Sequence, residues 1–139
     1  MLRGKKWVQR QMLQPDGRFP NDYFGYSIAV SSNALLVGAP KAKWMGVDAG
    51  AAHVFEPDSL GNWVETQRLT ASDGGGTQIL DGVSASTARA IIGAPNGGDL
   101  RQEFYNRLGA AYVFERDEQG RFVETQRLAH EDPVALYVY

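Results

Sequence analysis

Residues 50–56 read Gly-Ala-Ala-His-Val-Phe-Glu, and residues 109–115 read Gly-Ala-Ala-Tyr-Val-Phe-Glu. The stretch Val64-Glu65-Thr66-Gln67-Arg68-Leu69 returns unchanged 59 positions later, at residues 123–128. Val37-Gly38-Ala39-Pro40 also has a counterpart, Ile92-Gly93-Ala94-Pro95. Recurrence at this spacing is typical of stacked or radial repeat proteins, because each unit buries its apolar side only against a neighbour. The chain is therefore predicted to contain two copies of one structural unit.

Each unit is predicted to form four β-strands. Residues 26–31 alternate large and small side chains, which is typical of a strand with two different faces, and the small face would let another sheet approach closely. Residues 34–39 form an apolar run that Pro40 ends, since proline cannot donate a ladder hydrogen bond. Residues 51–56 and 63–69 supply the third and fourth strands, with a polar, glycine-containing hairpin loop between them.

A four-stranded unit that runs from an apolar strand to a polar outer strand is typical of a β-propeller blade. The sequence predicts an all-β fold with about two complete blades, further partial strands and an incomplete ring, as part of something larger. Trp7 to Leu13 aligns with Trp63 to Leu69, which indicates a lone fourth strand. The predicted divisions are 1–14 for the fourth strand of a preceding blade, 15–70 for blade 1, 71–128 for blade 2, and 129–139 for the start of a further blade or a tail.

The pair Phe24-Gly25, followed by Gly38-Ala39-Pro40, resembles the FG-GAP repeat of integrin α chains and of many bacterial and algal proteins. The run Thr70-Ala71-Ser72-Asp73 after the fourth strand is similar to the integrin-like bacterial subtype. The resemblance implies one propeller blade per repeat, commonly seven blades in a full ring, and roles in adhesion or in protein or glycan contact rather than catalysis. It also favours an extracellular or cell-surface location. The structural anchors of the repeat would be Phe24, Gly25, Gly38, Ala39, Pro40, Gly93, Ala94, Pro95, Trp7, Trp63 and Phe122.

The sequence departs from the family pattern in two places. Ile79-Leu80-Asp81-Gly82 stands where Phe24-Gly25-Tyr26-Ser27 stands in the first unit, so a less regular first strand is expected there. Many integrin blades hold calcium in a loop of closely spaced aspartates, which supply the oxygen ligands that calcium prefers. Residues 73–76, 96–99 and 117–118 do not match such a loop. We therefore expect no calcium, no other metal and no cofactor.

Composition excludes several functional classes. The chain has 139 residues, a formal net charge of −2, 43% hydrophobic and 22% charged residues, and no cysteine. A nearly neutral chain has no broad attraction to nucleic acid, and the absence of cysteine excludes disulfides and thiol catalysis. No apolar run is long enough to span a bilayer. The basic start at Arg3, Lys5 and Lys6 is not followed by an apolar segment, so no signal peptide is predicted.

The residues that most often carry catalysis offer no convincing set. His53 occupies the position that Tyr112 fills in the second unit, so it is interpreted as a packed or half-exposed strand residue, and His130 as solvated. Glu65 and Glu124 recur at equivalent positions, and we expect both to be solvated on the outer rim. A metal site needs three or four convergent ligands, which the sequence does not suggest. The chain is predicted not to be an enzyme.

The two loops that follow the Gly-Ala-Pro anchors are the least repeat-like parts of the chain. Loops on a rigid scaffold commonly carry binding sites, and aromatic side chains beside arginine or lysine are typical of interface hot spots. An alternative is that their aromatic side chains only pack against their own blade. The candidate binding residues are Lys41, Lys43, Trp44 and Met45 in loop 41–48, and Arg101, Phe104, Tyr105 and Arg107 in loop 96–108.

Three functions follow as hypotheses. The first is a non-enzymatic module that binds a protein or a glycan through loops 41–48 and 96–108. The second is a structural or accessory subunit that completes a propeller by self-association, or by packing with other blades in a large assembly, since unpaired sheet edges favour further pairing. The third is a domain acting on polysaccharide, which would need convergent carboxylates that the sequence does not provide.

Overall fold

The computed structural model describes residues 4–17, 21–44, 47–72, 82–95 and 109–129. Within these ranges the chain forms ten β-strands and no helix. The strands are β1 (Ser27–Val30), β2 (Leu35–Ala39), β3 (Lys43–Trp44), β4 (Val47–Asp48), β5 (Ala51–Pro57), β6 (Trp63–Leu69), β7 (Gly82–Ala85), β8 (Arg89–Ala94), β9 (Ala110–Arg116) and β10 (Phe122–Ala129).

Within the described residues, two four-stranded antiparallel sheets form the body of the fold, beside a two-stranded sheet of β3 and β4. The first sheet has the order β1-β2-β5-β6, and the second sheet has the order β7-β8-β9-β10. Within each sheet, every strand lies beside the next of the four along the chain, which is the connectivity expected of a propeller blade. The predicted all-β class and the four-strand unit are confirmed, and the described residues do not form a closed ring.

The turns between the third and fourth strands of each sheet form as the sequence predicts. Asp58 Oδ1 accepts hydrogen bonds from the main-chain N–H groups of Leu60 and Asn62, both at 2.9 Å. Asp117 Oδ1 does the same in the second sheet, for Gln119 at 3.0 Å and Arg121 at 2.9 Å. An aspartate that binds the main chain two and four residues further on stabilises a tight turn, which explains why both loops close a hairpin.

The two sheets are alike even where their sequences differ. β7 pairs with β8 over four residues, as β1 does with β2, so the loss of the Phe-Gly pair does not shorten the first strand. Each outer hairpin has a register shift, between Val54 and Phe55 in one sheet and between Glu124 and Gln126 in the other. A bulge of this kind increases strand twist and changes which residues face inward, and the sequence pattern does not reveal it.

The predicted divisions of the chain stay predictions, although the sheets fit them closely. The first sheet lies within 15–70, while the second sheet extends one residue beyond 128 because β10 ends at Ala129. Residues 4–14 carry no strand assignment, so the predicted fourth strand of a preceding blade has no ladder pairing here. Of the predicted segment 129–139, only Ala129 is among the described residues.

Candidate interaction surfaces

An apolar interface joins the two sheets. Leu36, Val54 and Leu69 of the first sheet pack against Ile92 and Tyr112 of the second, and all five are buried. Ala29 packs against the same cluster, which confirms the close approach that the small face of the first strand predicts. Burying each large side chain of this kind contributes roughly 1.5–3 kcal/mol, so this interface is the main source of stability of the pair.

Hydrogen bonds at the fourth strands fix how the two sheets align. The side-chain amide of Gln67 donates to Phe122 O and accepts from Phe122 N, the second bond at 2.9 Å. Glu124 accepts hydrogen bonds from Ser72 N at 2.8 Å and from Ser72 Oγ at 2.7 Å. The second sheet is therefore held at the backbone of Phe122 by Gln67 of β6, and at the carboxylate of Glu124 by Ser72, which follows β6.

Residues 7–16, which we call the 7–16 segment, bind the first sheet through the same pair of contacts. Gln11 Nε2 donates to Trp63 O at 2.7 Å, and Gln11 Oε1 accepts from Trp63 N at 3.0 Å. Asp16 N donates to Glu65 Oε2 at 2.6 Å. Gln11 therefore binds Trp63 in the same way as Gln67 binds Phe122. The 7–16 segment lies against the first sheet where the end of the first sheet lies against the second.

Glu65 is not solvated, and the expectation that it lies in water on the outer rim is wrong. Its side chain is 11% exposed, and Oε1 lies 2.6 Å from Nδ1 of the buried His53. The pair forms because the register shift in the outer hairpin aligns Phe55 with Glu65, which turns this carboxylate toward the face that carries His53. Glu124 in the second sheet is also engaged, through Ser72, so neither glutamate is a free surface charge.

The repeat anchors lie at structurally important places. The Phe24 ring makes edge contacts with the rings of His53, at 5.4 Å between centroids, and of Phe55, at 6.0 Å. Gly25 has a φ of +94° and Gly25 N donates to Gly38 O, which turns the chain into β1. Gly38, Ala39, Gly93 and Ala94 lie in the second strands, Pro40 and Pro95 directly follow them, and Trp63 and Phe122 begin the fourth strands. Trp7 is fully exposed.

The second sheet has an open face on the side away from the first sheet. Ile91, Ala111, Val113 and Leu128 lie on this face, together with the side chain of Gln126. Their counterparts in the first sheet are covered by the second sheet. Leu69 is 2% exposed, whereas the equivalent Leu128 is 43% exposed, and Leu36 is fully buried, whereas the equivalent Ile91 is 44% exposed. We call this surface the open face.

The first sheet also exposes apolar side chains on the side away from the second sheet. Ile28 and Val30 are about 70% exposed, and Tyr26, just before β1, is also exposed. The equivalent positions in the second sheet, Val83 and Ala85, pack against the apolar cluster between the sheets. We call the surface around Ile28 and Val30 the leading face.

Two grooves flank the 7–16 segment. One, of about 470 Å³, lies between the segment and the first sheet and is lined by Met12, Leu13, Phe55, Trp63 and Glu65 among others. The other, of about 520 Å³, lies beside the hairpin turn at Leu60 and Gly61. Both are open and of mixed polarity. Among the described residues, His, Asp and Glu side chains do not form a group of three that could hold a metal ion.

The first predicted binding loop contains a two-stranded ribbon, β3 and β4, which the sequence did not predict. Lys41 Nζ lies 5.0 Å from the centre of the Tyr23 ring, a cation–π geometry. Lys43 is exposed, and its carbonyl accepts a hydrogen bond from Arg68 Nη2 at 2.8 Å. Trp44 is in β3, with its backbone paired to Val47. In the described part of this loop, the Lys41 side chain and the Lys43 backbone thus both contact residues outside the loop.

The remaining binding candidates lie outside the described residues. These are Met45 in the first loop and Arg101, Phe104, Tyr105 and Arg107 in the second, together with His130. Their role as binding residues stays a prediction. Of the candidates, the structure brings Lys41 together with Tyr23, a residue that the sequence analysis did not single out.

Comparison with known protein families agrees with this geometry. Residues 7–55 match the FG-GAP repeat family, a span that covers the 7–16 segment and the first three strands of the first sheet. Residues 7–55 carry an FG-GAP repeat. The resemblance based on Phe24-Gly25 and Gly38-Ala39-Pro40 is confirmed. No curated protein matches the chain. No helix among the described residues is long and apolar enough to cross a membrane.

Proposed function

We propose that this FG-GAP chain is a non-enzymatic interaction module that works by blade-to-blade association, as a structural subunit of a larger propeller or assembly. The observation that carries this proposal is the contrast between Leu69 and Leu128. They end the same Val-Glu-Thr-Gln-Arg-Leu sequence, but Leu69 is buried beneath the second sheet and Leu128 is exposed. The open face therefore resembles a surface of the first sheet that the second sheet covers, and we expect a partner to cover it.

Another FG-GAP blade is the occupant that this surface fits best. The first sheet carries the matching surface, and there the occupant is a four-stranded sheet whose fourth strand begins with a buried aromatic residue, Phe122. Ile91, Val113 and Leu128 supply apolar contact, while Gln126 supplies the amide that would bind the backbone. A repeat unit that buries one face against a neighbour leaves its other face in need of the next.

The native mass of the particle tests this proposal. We expect the chain, purified gently from cells that produce it, to sediment well above its own 15.3 kDa. Leu128→Glu should return it to the mass of the single chain, because a buried carboxylate without a partner is strongly unfavourable in an interface. A chain that sediments alone in the unmodified form would contradict the proposal.

Val123→Glu is the matched control. Val123 is in the same strand and equally exposed, at 43%, but its counterpart Val64 remains 42% exposed although the first sheet is covered by the second. Position 123 therefore lies outside the surface that a neighbouring blade would cover. The control should leave the native mass unchanged, and an equal loss in both variants would show that added charge, rather than the open face, is responsible.

The absence of an enzymatic role belongs to the same proposal. FG-GAP repeats are generally non-catalytic. His53 and Glu65 bind each other, and Asp16 N occupies the second carboxylate oxygen, so this pair serves packing and alignment rather than proton transfer to a substrate. The other described carboxylates near the interface are likewise held by protein groups, as Glu56 is by Thr66 Oγ1 at 2.8 Å.

A second candidate function is recognition of a protein or a glycan by loop 41–48 together with loop 96–108. The observation in its favour is the Lys41 ammonium 5.0 Å from the centre of the Tyr23 ring, together with the exposure of Lys43 two residues further along the chain. Aromatic rings and cations at one loop suit the contacts of a binding site. Screening the chain against a glycan panel, with Lys41→Ala and Tyr23→Ala beside the control Lys6→Ala, tests it: binding that survives in both loop variants would exclude this surface.

A further inference from the structure

We propose that the partner of the open face is a second copy of this chain, bound head to tail, with β10 of one copy replacing the 7–16 segment of the other. In this arrangement Gln126 of one copy takes the place of Gln11 and binds the backbone of Trp63 in the next copy. This inference rests on the proposed blade-to-blade function and specifies its partner and its register. It also gives the 7–16 segment a role as an internal competitor for the association site.

The same hydrogen-bonding arrangement occurs twice in the chain. Gln11 binds the two main-chain polar groups of Trp63, and Gln67 binds those of Phe122. Gln126 stands at the third equivalent position, two residues before Leu128 as Gln67 is before Leu69. Its side chain lies on the open face and is exposed. In both cases the glutamine binds the backbone of the first residue of a fourth strand. Trp63 is the first residue of β6, so its backbone is a suitable partner for Gln126 of another copy.

The hydroxyl contact between the sheets can also be repeated between copies. Ser32 Oγ lies 3.3 Å from Thr87 Oγ1 across the existing interface. Thr87 is the equivalent of Ser32 in the second sheet, so the same hydroxyl pair would form between Thr87 of one copy and Ser32 of the next. Both hydroxyls can donate or accept, and the pair therefore works in either order.

The ion pair between the sheets cannot be repeated between copies, but its loss leaves neither glutamate without a partner. Glu56 lies 3.5 Å from Arg116 across the sheet interface. In a second copy, Pro57 occupies the position of Arg116, while Glu115 occupies the position of Glu56. Glu115, however, forms an ion pair with Arg89 of its own sheet at 2.7 Å. Its carboxylate therefore has a partner within the sheet, although Pro57 of the next copy offers none.

The apolar surfaces complement each other in the same arrangement. The open face offers Ile91 and Leu128, and the leading face offers Ile28 and Val30, which are 70% and 68% exposed. In the chain's own interface, the positions equivalent to Ile28 and Val30 are the ones that contact the neighbouring sheet. Joining the two faces would therefore bury apolar side chains that are exposed on the described part of the single chain.

The 7–16 segment is a weaker occupant of the site than a whole sheet. It binds the first sheet through the amide of Gln11 and the backbone of Asp16, and it carries no strand pairing. Trp7, Val8 and Met12 are exposed, so the segment covers little apolar surface. β10 of another copy, by contrast, belongs to a four-stranded sheet, and that sheet would also cover the leading face. Weakening the segment should therefore strengthen association.

Head-to-tail contact of this kind either closes into a ring or continues as a filament. Each copy contributes two sheets, and propellers typically contain about four to eight blades. Closure at two to four copies would give a ring of four to eight sheets. We therefore expect a discrete particle, at about two to four times the 15.3 kDa chain mass.

Sedimentation velocity on the purified full chain, over a wide range of concentrations, tests the proposal. Relative to the wild-type chain, Gln126→Ala should raise the dissociation constant for self-association by about tenfold, because two hydrogen bonds to a backbone are lost. Gln11→Ala should lower it by a similar factor, because the competing segment loses its anchor. Gln119→Ala is the control, since Gln119 is an exposed amide in the hairpin turn of the second sheet, away from both faces. Circular dichroism verifies that each variant is folded.

The outcomes separate this inference from the function on which it rests. A monomer at every concentration, for the wild-type chain and for Gln11→Ala, would overturn the second-copy partner while a blade from another chain could still satisfy the open face. Association that Leu128→Glu abolishes but Gln126→Ala leaves unchanged would overturn the proposed register. A Gln11→Ala variant that associates no better than the wild-type chain would overturn the competition with the 7–16 segment.

Discussion

The side-chain amide of Gln67 binds both main-chain polar groups of Phe122 across the interface between the two sheets. Phe122 is buried and is the first residue of β10. Apolar contact alone is non-directional and would permit the sheets to slide. The amide fits one residue only, so it defines how far along the strands the second sheet lies.

We therefore predict that Gln67→Ala destabilises the fold by about 2–3 kcal/mol, because it leaves a buried N–H and a buried C=O without partners. Urea unfolding followed by circular dichroism measures the loss. Gln126→Ala, studied at a concentration where the chain is monomeric, is the matched control, since this amide is the sequence equivalent but lies in solvent. It should change stability by less than about 0.5 kcal/mol. Equal effects of the two variants would contradict an alignment role for Gln67.

The apolar part of the interface leads to a second prediction. Leu36→Ala should cost about 2–5 kcal/mol, because Leu36 is fully buried between the sheets and its removal leaves a cavity. Ile91→Ala, at the equivalent position on the open face, should cost far less in the single chain. Thermal or urea unfolding of both variants at low protein concentration gives the comparison. A large loss for Ile91 would mean that the open face is covered within the chain itself.

The strands could be predicted from the sequence because their signals are local. Alternating side chains, the proline after each Gly-Ala, and the aspartate- and glycine-containing turns between residues 57–62 and 116–121 determine where each strand begins and ends. The repeat then confirms each strand twice. The loss of the Phe-Gly pair in the second unit misled the prediction, since β7 forms normally by pairing with β8.

The surroundings of each repeat unit could not be predicted from the sequence, because identical residues in the two units differ in burial. Leu69 and Leu128 belong to the same six-residue sequence, yet only one is buried. The contact between His53 and Glu65 was also missed, since it depends on a register shift that has no sequence signature. The sequence did contain one weak signal. The two residues that flank Glu65, His53 and Asp16, both differ from their counterparts beside Glu124, which are Tyr112 and Ser72, so the two positions change together.

That paired difference is the basis of a third prediction. His53→Leu should destabilise the chain by about 1–3 kcal/mol, because Glu65 keeps only the Asp16 N–H as a partner in a nearly buried site. Asp16→Ser in the same background should recover part of the loss, since the new hydroxyl can donate to Glu65 as Ser72 Oγ donates to Glu124. A double-mutant cycle by urea unfolding measures the coupling between the two positions. Asp16→Ser alone is the control, and additive effects would contradict the shared role around Glu65.

The chain's turn into β9 gives the last prediction. Gly109 has a φ of +76°, and a Cβ atom built on it would lie 3.1 Å from Pro95 O, a main-chain atom that directly follows β8. Gly109→Ala should therefore combine the cost of the left-handed backbone, about 1–2 kcal/mol, with a displacement of the neighbouring strand end. Gly120→Ala is the control, because Gly120 has nearly the same φ of +77° but nothing within 4 Å of its Cβ position. Urea unfolding should show a clearly larger loss for Gly109→Ala, since only there does the new methyl group force two strands apart. Equal losses would mean that the end of β8 yields without cost, and that the close approach of Gly109 to Pro95 does not constrain the strand ends.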